Sequence, residues 1–289
     1  MMLSTSFPHL AQRLFNTPLM LRAEKAEVLM AALAERMGVT HMLREGGPLA
    51  SSFEAEDYGQ AADDKQYEVV TGVAVIPITG TLVHKGGWMA AYSGLTGYDF
   101  IRSSFLQAVD DAEVKAVVLD IDSPGGEVSG CFDLADTIYA ARGAKPIHAI
   151  LTESAYSAAY ALASAADRIL VPRTGGVGSI GVIAMLVDLS KAMTTAGLTV
   201  NIIQFGARKA DGTEFRELPD EARAAFQEQV DDMGELFVDT VARNRGLAAS
   251  KIRATEAATF LAPRGVALGL ADAVMSPDAA FADLLRSIA

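Results

Sequence analysis

Histidine is scarce in this 289-residue chain: His9, His41, His84 and His148 are the only four. Cysteine occurs once, as Cys131, which excludes an intrachain disulfide. No group of Cys and His has the spacing of a zinc site, so a reducing compartment and no metal or other cofactor are expected. Positive charge is also short, with 24 Lys and Arg against 36 Asp and Glu and a formal net charge of -12. That balance argues against a nucleic-acid partner held by phosphate neutralisation. Long apolar runs are lacking as well. Met1 to Met20 is interrupted by Pro8, His9, Gln12 and Arg13, unlike the continuous core of a secretory signal. The charge-free runs Val69 to Val83 and Gly175 to Leu186 are broken by glycines and too short to span a bilayer. The expectation is a cytoplasmic protein without a membrane anchor.

What the chain does have is apolar bulk: 51% hydrophobic and 21% charged residues describe a globular protein with a sizeable core. Residues 9 to 38 carry helical spacing, with Leu19, Leu21, Val28, Leu29, Ala32 and Leu33 among charged positions and Pro18 as a break. This predicts one or two helices in an N-terminal appendage spanning residues 1–45. Residues 46–66 turn polar and acidic and read as a linker or loop, which leaves a main domain at 67–289. There, β-rich runs at Val69 to Pro77, Ala116 to Ile121, Pro146 to Leu151, Arg168 to Val171 and Thr199 to Gln204 alternate with helical segments. The helices are expected at Tyr98 to Ala112, Val128 to Ala141, Ser157 to Ala166, Ser190 to Ala196 and Pro219 to about Asn244. Alternation of this kind predicts an α/β fold with parallel strand pairing.

Three pieces of this domain carry chemistry. Ser123-Pro-Gly-Gly126 follows a strand and precedes a helix, where glycines let backbone N–H groups approach a ligand; a tight strand-to-helix turn explains the same residues. Ser157 falls at the start of an alanine-rich helix one β-unit later, at the sheet edge where α/β folds place their sites; helix capping or close packing is the bland alternative. Lys209, in Gly206-Ala-Arg-Lys-Ala-Asp-Gly212, reads alone as a solvated loop residue. A serine hydroxyl needs a base to become a nucleophile, and a lysine serves only as the neutral amine. With no histidine in these motifs, lysine is the candidate base.

The ordered set Asp122-Ser-Pro-Gly-Gly126, Tyr156-Ser-Ala-Ala-Tyr160, Gly178-Ser-Ile-Gly-Val182 and Gly206-Ala-Arg-Lys209 resembles the serine-lysine peptidase family that includes bacterial signal peptide peptidase A and the phage lambda head protease. The resemblance runs from about Val73 to Val274. In the phage branch it extends to Phe15-Asn-Thr-Pro-Leu-Met20, Gly80-Thr-Leu-Val83 and Tyr92-Ser-Gly-Leu-Thr-Gly-Tyr98. It implies a ClpP/crotonase-like spiral fold of repeated β-β-α units with a small helical N-terminal appendage. It also implies Ser157 as nucleophile, Lys209 as general base, and Gly126 and Ala158 as oxyanion-hole donors, with Gly125 and Ser179 in support. Ala158-Ala159 replaces the Gly-Gly usual in signal peptide peptidases. The implied partners are capsid, portal or scaffold proteins as substrates and further copies of the chain in a homo-oligomer. Three other readings stay open: a soluble peptidase degrading signal-peptide remnants or misfolded chains, a crotonase-type acyl-CoA enzyme, and a vestigial capsid-assembly component.

Overall fold

The computed structural model describes residues 17–22, 25, 65–86 and 94–289. The remaining positions, with most of the expected N-terminal helices and the acidic segment up to residue 64, lie outside the described residues. Pro18–Lys25, Lys65–Ile183 and Glu228–Ala289 belong to one compact unit, and Ala184–Gln227 belongs to a second.

The first unit is built on a mixed, mostly parallel sheet. Its strands are β1 (Pro18–Leu21), β2 (Glu68–Val70), β3 (Val73–Val83), β4 (Leu95–Gly97), β5 (Ala116–Glu127), β6 (Ile147–Tyr156), β7 (Arg168–Val171), β8 (Gly176–Gly178), β9 (Ile183–Ala184), β10 (Thr259–Leu261) and β11 (Ala273–Val274). Strands β3, β5, β6 and β7 pair in parallel, so each return needs a crossover, supplied by α1 (Tyr98–Asp110), α2 (Cys131–Ala140) and α3 (Ala158–Ser164). Parallel strands covered on both faces read as near-continuous apolar runs, which is what Val117, Leu119 and Ile121 on one face and Ala116 and Val118 on the other provide. The first face is covered by α1, α2 and α3 through Ile101, Phe105, Leu134, Tyr160 and Leu162. The second meets Ala280 and Leu284 of α8 (Pro277–Ser287). The helices between α3 and α8 are α4 (Ser190–Thr195), α5 (Asp220–Arg245), α6 (Ala249–Arg253) and α7 (Ala262–Ala267).

The α/β class with parallel pairing agrees with the sequence pattern, and the differences have local causes. The expected strand at Val69 divides in two because Thr71 and Gly72 turn at φ 52° and 80°. Pro18–Leu21, expected in a helical region, is a strand: its three residues after Pro18 bury against the sheet, and pairing outweighs the helical spacing. Thr199–Gln204, expected as a strand, forms no regular element; its residues are exposed and no sheet neighbour among the described residues pairs with them. Along α5, Phe237 and Val241 are fully buried, whereas Phe226, Val230 and Met233 are partly exposed.

Arg142 fixes the far end of α3. Its guanidinium donates to the carbonyls of Ser164 at 2.9 Å, Ala165 at 2.8 Å and Asn244 at 3.1 Å, and also to Ala166, while stacking 4.5 Å from the Tyr139 ring. These are carbonyls that a helix end leaves without partners. Arg142→Ala is expected to lower the unfolding free energy by about 3 kcal/mol in urea titrations. Arg142→Lys should recover little of it, because an ammonium cannot reproduce the planar fork.

Candidate active site

Strand adjacency gathers three of the sequence motifs at one end of the sheet. In β5, Ser123 stands opposite Ala155 of β6 after a register shift beyond Ile121. In turn, Ser154, Ala155 and Tyr156 of β6 stand opposite Gly176, Val177 and Gly178 of β8. Ser123-Pro-Gly-Gly126, Tyr156-Ser157 and Gly178-Ser179 therefore lie side by side in one unit.

Ser157 is the hinge between β6 and α3. Its backbone sits at φ 55° and ψ -122°, a conformation L-residues adopt at a cost of about 1–3 kcal/mol. Its N–H donates to Gly178 O at 2.9 Å and its carbonyl accepts from Ala161 N at 3.0 Å, so both sides of the turn are held. The residue is only 1% exposed, and its Oγ has no hydrogen-bond partner among the described residues. It supplies no side-chain cap to α3, which removes the capping alternative. A buried hydroxyl without a partner among the described residues costs stability, and the backbone strain adds to that cost.

The glycines beside it are demanded by contact. Gly125 is at φ 102°, and a Cβ there would lie 2.2 Å from Met20 O and 2.9 Å from Ser157 Cβ. A Cβ at Gly126 would lie 1.9 Å from Leu82 O. The segment is not the tight strand-to-helix turn expected; β5 runs extended through Glu127, and α2 starts only at Cys131. Ser123 holds it, donating to Gly80 O at 2.7 Å and accepting from Gly125 N at 3.1 Å. Ala158 opens α3, so its N–H is one of the first-turn donors that the helix itself leaves free. Ser179 has φ 57°, donates its N–H to Ala258 O at 2.9 Å, and lines a cleft of about 490 Å³ with Leu21, Arg22, Gly181, Ile183 and Thr259.

Lys209 belongs to the second unit. It is exposed, and its N–H donates to Gly206 O at 3.1 Å. Arg208, the neighbouring cation, is engaged by Asp211 at 3.2 Å and by Glu221 O at 3.1 Å. Two further groups of nucleophile or base type, Cys131 and His148, are buried in the core. Burial pushes the Cys131 thiol up to about 12, so it is no thiolate, and its Sγ faces Ala158 O. His148 lies opposite Val118, toward the far end of β6 from Ser157, and burial lowers its pKa. Among the described residues no cluster of His, Cys, Asp and Glu could hold a metal ion, and no helix is long and apolar enough to cross a membrane. Sequence reasoning missed β1, which lies against Gly125 and Gly126. Its signal is the unbroken apolar run Leu19-Met20-Leu21 behind a proline.

The profile of peptidase family S49 matches residues 140–287, just over half of the chain and inclusive of Ser157 and Lys209. The chain belongs to peptidase family S49. This S49 chain is 40% identical over 278 residues to the head-tail preconnector protein of Enterobacteria phage P21, covering 93% of the chain and 55% of that protein. It is 35% identical over 279 residues to the capsid assembly protease C of Escherichia phage lambda, covering 94% of the chain and 64% of the protease. The chain thus spans less than two thirds of either relative. Protease 4 of Haemophilus influenzae is 24% identical over 206 residues, 70% of the chain and 33% of that protein. An enoyl-CoA hydratase/isomerase family member of known structure superposes with a TM-score of 0.45 at 18% identity, over 77% of this chain and 74% of that one, and carries no functional argument.

A hydroxyl that is buried and unpartnered is dispensable for stability. Ser157→Ala is expected to keep or raise the unfolding free energy, by up to about 1 kcal/mol. A loss of stability in thermal or urea unfolding would show instead that Ser157 is a structural residue.

Proposed function

We propose that this chain is a serine endopeptidase with a Ser-Lys dyad, acting on the capsid, portal or scaffold proteins of a phage or prophage head. The observation that carries the reading is Ser157: a strained, buried hydroxyl without a partner among the described residues, beside Gly125-Gly126 at the head of α3. The names of the two phage relatives support the substrate class, and membership of family S49 supports the peptidase chemistry.

In this mechanism Ser157 Oγ adds to the carbonyl carbon of the scissile peptide bond while its proton passes to the neutral amine of Lys209. The developing oxyanion is held by the N–H groups of Gly126 and Ala158; losing one such donor costs about 3 kcal/mol in the barrier. Lys209 then returns the proton to the departing amine, and a water molecule repeats the sequence on the acyl ester. Ser179 supports the base, and Ala158-Ala159 keeps the backbone donor while narrowing the space beside the nucleophile. The proposed setting is the host cytoplasm or the procapsid. Homo-oligomerisation is supported by Ile203 and Phe205, both 100% exposed in a segment that also exposes Leu198, Val200 and Ile202.

Incubation with the capsid and portal proteins encoded beside the chain should give discrete fragments in mass spectrometry. Ser157→Ala and Lys209→Ala should each reduce the cleavage rate by roughly a thousandfold or more while the fold is kept. Cleavage that survives either substitution rules out the dyad. Light scattering should report an assembly larger than one chain, and Phe205→Asp should reduce its mass; a monodisperse monomer at working concentration contradicts the oligomer.

A further inference from the structure

The turn at Ser157 has a second consequence for the sheet. Strand β6 follows one edge of β5 as far as the Ser123–Ala155 pair and then leaves it at Ser157. The opposite edge of β5 stays occupied by β3, through Thr81–Gly125 and Leu82–Gly126. The edge of Gly125–Glu127 nearest the nucleophile is therefore vacated, with backbone groups that need partners. A distant piece of the chain fills it. Strand β1 lies antiparallel there, with Leu19, Met20 and Leu21 opposite Glu127, Gly126 and Gly125.

The fit is that of a bound peptide. Arg22 N donates to Pro124 O at 3.2 Å, and the two-residue repeat of an antiparallel ladder makes Met20–Gly126 the next hydrogen-bonded pair. That turns the Met20 carbonyl toward the Gly126 amide. Met20 O and Ser157 Cβ border the same point, 2.2 and 2.9 Å from where a Cβ on Gly125 would stand. Leu19, Met20 and Leu21 are 2%, 0% and 4% exposed, and the Arg22 guanidinium lies 4.8 Å from the Tyr156 ring. Beyond Leu21 and Arg22 the slot opens into the 490 Å³ cleft lined by Ser179 and Ile183.

We propose that residues 18–22 are a resident peptide in the substrate slot beside Ser157. An extended polypeptide of the same character, three consecutive apolar residues followed by a basic one, must displace them to reach the nucleophile. The enzyme is thus held in check by its own N-terminal segment, and main-chain pairing to Pro124–Glu127 is how it takes a substrate strand. This rests on Ser157 as nucleophile, and the test separates the two ideas.

The probe is the acetylated, amidated peptide Thr-Pro-Leu-Met-Leu-Arg, the sequence of residues 17–22. In the full-length Ser157→Ala chain, hydrogen–deuterium exchange at the amides of Leu19 to Arg22 should accelerate by roughly tenfold when the peptide is in excess. Peptide that fails to bind, or binds without releasing these amides, overturns the proposal. In the chain with Ser157 intact, Met20→Asp should raise the rate of fluorophosphonate labelling by roughly tenfold, and added peptide should suppress it again. Equal labelling of parent and variant overturns self-occupancy while leaving Ser157 as nucleophile. Displacement in the exchange experiment with no labelling of either chain upholds the occupied slot and removes the nucleophile assignment.

Discussion

The left-handed turn at Ser157 is the constraint on which the rest of the site depends. A strand running into a helix through a residue at φ 55° must change direction within one residue. That change ends the pairing of β6 with β5, starts α3, and leaves a hydroxyl with no hydrogen-bond partner among the described residues. Such a turn is costly, and it persists because its surroundings over-determine it. Gly178 O and Ala161 N hold the backbone of Ser157, Gly125 leaves room for its Cβ, and Arg142 ties down the other end of α3.

The same constraint explains the composition around it. Two glycines are needed because β5 passes within contact of the Leu82 backbone on one side and of Met20 O on the other, where no Cβ fits. Alanines fill α3 because the helix is buried throughout its length between the sheet and α2. Tyr160 is the exception in size, and its hydroxyl is satisfied by Leu270 O at 2.8 Å. His148 and Cys131 are core residues whose burial suppresses their charged forms.

How much of this was legible depended on whether the information was local. Parallel strands with apolar runs such as Ala116–Ile121 could be read directly, because burial on both faces leaves a pattern within the segment itself. The grouping of Ser157 with Ser123-Pro-Gly-Gly126 and Gly178-Ser179 was legible, since they follow one another at the ends of successive strands and the sheet sets them side by side. The extension of β5 through Glu127 was not, because Pro-Gly-Gly reads as a turn unless β3 is known to lie against it. Strand β1 reads as helix in the sequence because its partner is more than a hundred residues away and its own spacing fits either structure. Thr199–Gln204 shows the converse: β-rich composition forms no strand where no described neighbour pairs with it.

The central claim is that the strained hydroxyl of Ser157 is the reacting group. Its most direct measurement is peptide mapping by mass spectrometry after the unsubstituted chain is treated with a fluorophosphonate. The account predicts a single covalent adduct, on the peptide carrying Ser157. An adduct on another residue, or none on Ser157 under conditions in which the chain cleaves protein, would contradict it.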